Sequence, residues 1–129
     1  MEYLNEKDIL IIHALIIDET GGSHGVRDTH LLGSLAVRPK TSFGGREQYQ
    51  DVWSKAAAYL EAIVSYHVFT DGNKRTGIAV VGRFLYLNGY DLRTTNEALV
   101  AFVLEVVTKK LDIDTIAGWL KEHSKKIRK

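Results

Sequence analysis

The sequence predicts an all-α protein, a compact bundle of about six helices forming a single domain over residues 1–129. Three observations carry that prediction. Apolar residues recur at helical spacing in one segment after another, and the chain contains only one proline, Pro39. No alternating strand pattern of useful length appears, apart from a short extended piece near "YDLRTT" at 90–95.

The first helix begins after Asn5, whose side chain can cap it, with Glu6 and Asp8 in the first turn where the positive helix end favours them. Ile9, Ile12, Leu15 and Ile16 continue it to about Thr20, and the glycines at 21 and 22 end it. A short second helix, Asp28 to Val37, must stop ahead of Pro39, because proline disfavours helical geometry in the residue before it. "PKTSFGGREQ" reads as a mobile loop. A third, long amphipathic helix starts at about Tyr49 and carries Val52, Ala56, Tyr59, Leu60 and Ile63 on one face.

The fourth segment, about Asn73 to Asn88, is apolar on almost every side and therefore belongs in the middle of the bundle, with Gly89 placed for a left-handed C-cap. Thr94 and Glu97 match a capping box before a fifth helix with Leu99, Phe102, Val103 and Val106 facing inward. Lys109 and Lys110 suit its negative end. Asp112 or Asp114 caps a last helix bearing Ile116, Trp119 and Leu120, and the basic "KEHSKKIRK" reads as a solvated tail.

Bulk properties narrow the function. A formal net charge of +1 gives no chain-wide field for nucleic acid, and the apolar run "ILIIHALII" is far too short to span a bilayer. With no cysteine, neither a disulfide framework nor a thiolate zinc site is possible. The charged N-terminus lacks a signal-peptide core, so the expectation is a cytoplasmic protein.

The chemistry concentrates in "YHVFTDGNKRTG", residues 66–77, between the third and fourth helices. Gly72 removes side-chain bulk, and the amides of Asn73, Lys74 and Arg75 are first-turn donors, a ready anion site. Lys74 and Arg75 are unfavourable at a positive helix end until a polyphosphate neutralises all of them together. Asp71 is either a cap or charge partner, or a ligand for Mg²⁺ shared with phosphate oxygens. His67 lies within reach of the anion site, and imidazole is the usual base for a hydroxyl proton near neutral pH. Phe69 reads as a core anchor. "GGSHG" lacks the ending of a phosphate loop, His13 reads as a satisfied core or interface histidine, and His24 and His30 show no metal-site spacing.

"HVFTDGNKR", His67 to Arg75, resembles the signature of the Doc (death-on-curing) toxins, a branch of the Fic fold. "GGSHGVRDTHLLGSLAVRPKTSFGG" before it and "FLYLNGY" after it extend the likeness over roughly residues 5 to 92. The resemblance implies that His67 is the general base, that Asp71 coordinates Mg²⁺, and that Gly72, Asn73, Lys74 and Arg75 hold the phosphates of ATP. It places a target-aligning flap around Lys40 to Gln48. AMP-transferring Fic proteins have glycine where this chain has Lys74, and a second arginine where it has Ile78. Both differences favour the Doc behaviour, in which the γ-phosphate passes to a threonine of elongation factor Tu and halts translation. Lys74 and Arg75 then count with His67 as catalytic. A cognate antitoxin is implied as partner, with exposed apolar residues of the first helix or the second-to-third-helix loop as places for it. AMP transfer by the same residues, and a non-catalytic module that binds an acidic or phosphorylated partner, are the alternatives.

Overall fold

A computed structural model describes residues 1–127. Six helices occur in chain order: α1 (Glu6–Thr20), α2 (Thr29–Val37), α3 (Val52–Ser65), α4 (Asn73–Leu87), α5 (Asn96–Thr108) and α6 (Ile113–Glu122). Two small antiparallel pairs accompany them, β1 (Ser42–Phe43) with β2 (Arg46–Glu47), and β3 (Tyr90–Leu92) with β4 (Ser124–Lys126).

Side-chain caps set most helix starts. Asn5 and Asp8 form a capping box on α1, and Asp28, Asp51 and Asp112 cap α2, α3 and α6. Two expected starts move for this reason. α3 begins at Val52 rather than near Tyr49, because the Asp51 carboxylate accepts from the Ser54 amide at 2.7 Å. The cap of α5 is Thr95, not Thr94, with its hydroxyl accepting from Ala98 N; Glu97 then falls one place short of a capping-box position.

α3 is the most enclosed element. Ten of its residues are buried, among them the run Ala56–Ala57–Ala58, whose small side chains let neighbouring helices approach. α4 lies in the core beside it, with Val80, Val81, Phe84 and Leu85 buried, although Tyr86 is exposed. Gly77 makes their approach possible: a Cβ there would stand 2.7 Å from Val64 Cγ1. Tyr59 and Phe84 meet edge-on at 5.1 Å, and Trp119 stacks on Phe102 at 4.1 Å to seat α6.

Two segments are more ordered than their composition suggests. "PKTSFGGREQ" forms a turn of 3₁₀ helix, Arg38–Lys40, and then the β1–β2 hairpin, whose two-residue turn places Gly44 and Gly45 at φ +58° and +81°. The basic C-terminal stretch is not a free tail over Ser124–Lys126, which pairs with the predicted extended piece at Tyr90–Leu92. Arg128 and Lys129 lie outside the described residues. No helix among the described residues is long and apolar enough to cross a membrane.

Candidate active site

The connection from α3 to α4 and the first turn of α4 contain the candidate site residues, and the fold brings them to one concavity of about 290 Å³ lined by His67, Asp71, Gly72, Asn73, Lys74 and Arg75. α3 ends at Ser65, and His67 follows in the left-handed region at φ +51°. That position after a helix usually takes glycine, and a side chain there costs about 1–2 kcal/mol. The exposed imidazole is thus held at the rim by a strained backbone rather than by a side-chain partner.

The loop beyond His67 is pinned into the core. Phe69 is 1% exposed and stacks in parallel on His13 at 3.7 Å. A backbone bridge joins Val26 to Phe69, and Thr70 N donates to Gly25 O at 3.0 Å. Asn73 clamps the loop from within, its amide group donating to Phe69 O at 2.8 Å and accepting from Phe69 N at 2.9 Å. Its side chain is therefore committed to the loop, and what it can offer a ligand is its backbone N–H.

Gly72 begins α4 in the left-handed region, φ +77°, and no side chain caps the helix. A Cβ at Gly72 would come within 3.0 Å of Ile17 Cδ1, a tight contact that adds to the strain of a side chain at this φ. Among the described residues the amides of Gly72, Asn73, Lys74 and Arg75 have no acceptor, and neither Lys74 nor Arg75 makes an ion pair. Four unpaired donors, the positive helix end and two exposed cations therefore face solvent together. Such an arrangement suits a bound anion.

Asp71 does not cap α4. Its Oδ2 accepts from Ser23 N at 2.7 Å, which draws the "GGSHG" loop against the site, and Oδ1 has no partner among the described residues. No group of three or more His, Asp or Glu among those residues could hold a metal by itself. A single carboxylate beside a phosphate cradle does fit Mg²⁺ that arrives with a nucleotide, since that ion is commonly bound by one or two carboxylates and phosphate oxygens.

Sequence reasoning missed three supports. His13 is the satisfied core histidine that the sequence predicts, but nothing in the sequence shows that its partner is the backbone carbonyl of Asp71 itself, at 2.9 Å. Ser23 N and the Asn73 side chain are the others. A glycine-bounded loop and an asparagine at a helix start give no sign of these roles in the one-dimensional pattern. His24 pairs with Asp18 at 2.9 Å, away from any metal grouping.

The β1–β2 hairpin is tied to the start of α3 by Lys55. Its ammonium is 2% exposed and donates to Pro39 O at 2.9 Å and Glu47 Oε1 at 3.0 Å. Burial works against its charge, but the Tyr3 hydroxyl and the Glu47 carboxylate outweigh that penalty and raise its pKa.

Known proteins share this arrangement of sequence. The chain is 37% identical over 121 residues to Toxin Doc of Mycolicibacterium smegmatis, an alignment covering 92% of this chain and 91% of that protein. It is 25% identical over 121 residues to protein kinase doc of Escherichia phage P1, covering 94% of each. The model of the Fic/DOC family matches residues 3–85, a span that begins just before the N-cap of α1 and runs through the candidate site and most of α4. The chain with a histidine, a carboxylate and an open helix end at one loop belongs to the Fic/DOC family.

Proposed function

We propose that this protein is the toxin of a toxin–antitoxin pair and acts as a protein kinase, passing the γ-phosphate of ATP to a threonine hydroxyl of elongation factor Tu and arresting translation. The observation that carries the reading is the open start of α4, where four unpaired amides, Lys74 and Arg75 converge beside Asp71 and His67. The names of the two relatives, a Doc toxin and a Doc protein kinase, support it.

In this reading His67 accepts the proton as the threonine oxygen attacks the γ-phosphorus. The bond from that phosphorus to the bridging oxygen breaks, and ADP leaves. Lys74, Arg75 and the helix-start amides hold the phosphate oxygens and balance the charge that builds on the transferring group. Asp71 would hold Mg²⁺, which supplies further positive charge to the phosphates when bound. The β1–β2 hairpin is the flap that aligns the target segment, and a cognate antitoxin is the inhibiting partner. Lys74 and Ile78 stand where AMP-transferring Fic proteins have glycine and arginine, which favours γ-phosphate transfer over AMP transfer.

Expression in a bacterial host tests catalysis against mere binding. Wild type should stop growth and protein synthesis, and a folded His67→Ala variant should not. Growth arrest that survives His67→Ala would reject a catalytic role for the imidazole and favour a module that only binds an anionic partner.

A further inference from the structure

Among the described residues, the peptide joining Asp71 to Gly72 is the one place where α1 reaches the catalytic loop by a hydrogen bond. The buried His13 ring, 2% exposed, lies flat on Phe69 at 3.7 Å with an interplanar angle of 7°. Its Nε2 is 2.9 Å from the carbonyl oxygen of Asp71. A carbonyl can only accept, so Nε2 carries the hydrogen and donates it.

That one bond sets the direction of a whole peptide plane. In a trans peptide the C=O and N–H point in opposite senses. With the Asp71 carbonyl turned inward onto His13, the Gly72 N–H is turned outward, and it has no acceptor among the described residues. Gly72, at φ +77°, has the freedom to let this plane rotate. Without the imidazole donor, the inward carbonyl would be buried and unsatisfied, and rotation toward solvent would relieve it. The rotated plane would aim an acceptor, not a donor, at the anion site. It would also disturb Asp71, whose carboxylate is held, among the described residues, only by Ser23 N.

We propose that His13 is a positioning residue for phosphate and Mg²⁺ binding: its Nε2–H locks the Asp71–Gly72 peptide so that the Gly72 N–H joins the anion site and the Asp71 carboxylate keeps its aim. The proposal rests on the nucleotide-binding reading of the site and extends it to a residue of the first helix that touches no ligand.

Titration calorimetry with ATP and Mg²⁺ tests it on wild type, His13→Phe and His13→Gln. Phenylalanine keeps the stack on Phe69 and lacks the donor; glutamine supplies an N–H of similar reach. His13→Phe should weaken binding about tenfold while His13→Gln stays within about threefold of wild type. Equal affinity in all three, or equal loss in both variants, overturns the proposal. A measurement on the wild type alone serves if His13→Phe does not fold. The Gly72 amide resonance must shift when ATP and Mg²⁺ are added. An unmoved Gly72 amide with shifts at Lys74 and Arg75 overturns the role of His13 and leaves the proposed function standing. If wild type binds no nucleotide at all, the proposed function fails and this proposal falls with it.

Discussion

At the residue scale, the site holds strain where the chemistry is assigned. His67 occupies a left-handed position at φ +51°, which glycine fills without steric cost. His67→Gly is therefore expected to raise stability by about 0.5–1 kcal/mol, read by urea denaturation, while abolishing label transfer. A variant that loses both stability and activity would contradict the idea that the backbone is strained for the sake of the imidazole. Gly72→Ala should do the opposite to the fold. Its φ of +77° and the 3.0 Å approach to Ile17 predict a loss of about 1–2 kcal/mol. The candidate site was legible because its letters are consecutive: one loop and one helix start supply His67, Asp71, Gly72, Asn73, Lys74 and Arg75. The residues that brace it were not legible. His13 and Ser23 lie 58 and 48 positions from Asp71, and only the folded chain brings them together.

At the element scale, the caps and the two clamps on mobile-looking segments decide where things sit. Helix ends were readable from Asn5, Asp28 and Asp112 because capping is local, whereas the choice between Thr94 and Thr95 turns on one residue of register. The extended piece that becomes β3 was legible, but the β1–β2 hairpin and the pairing of β3 with β4 were hidden, since strands of two or three residues carry no periodic signal. Lys55 ties the hairpin to α3, so Lys55→Met should leave α3 packed yet free the hairpin. Faster proteolysis within residues 42–47, with an unchanged helical signal, is the expected result.

The start of α1 is fixed by Tyr59, whose hydroxyl accepts from Leu4 N and donates to Leu4 O, both at 3.1 Å. Burial pushes its pKa from 10.0 up to about 12. A raised phenol pKa in the folded state means stability is complete below pH 10 and declines as pH climbs from 10 toward 12, because the unfolded chain ionises first. Tyr59→Phe should lose about 1–3 kcal/mol near neutral pH from the unpaired Leu4 groups, and its deficit relative to wild type should shrink across that alkaline range.

At the scale of the whole molecule, α3 is the hub and the active loop is its continuation into α4. The fold class was legible because six helical periodicities need no tertiary knowledge. The hub was not, although α3 carries ten apolar residues to the eight of α4, because only packing shows that its four alanines let it sit deepest. A ligand that binds the open end of α4 only in the folded chain acts on the global stability of the protein. ATP with Mg²⁺ at a hundred times its Kd should add about 2.7 kcal/mol, visible as a higher melting temperature, and removal of Mg²⁺ by chelation should take most of that gain away.

The central claim is tested most directly by the fate of each phosphate. The protein is incubated with elongation factor Tu and with ATP labelled at either the α or the γ phosphate. Label from γ-ATP on a threonine of the factor, absent with His67→Ala, is the predicted result; label from α-ATP alone would contradict it.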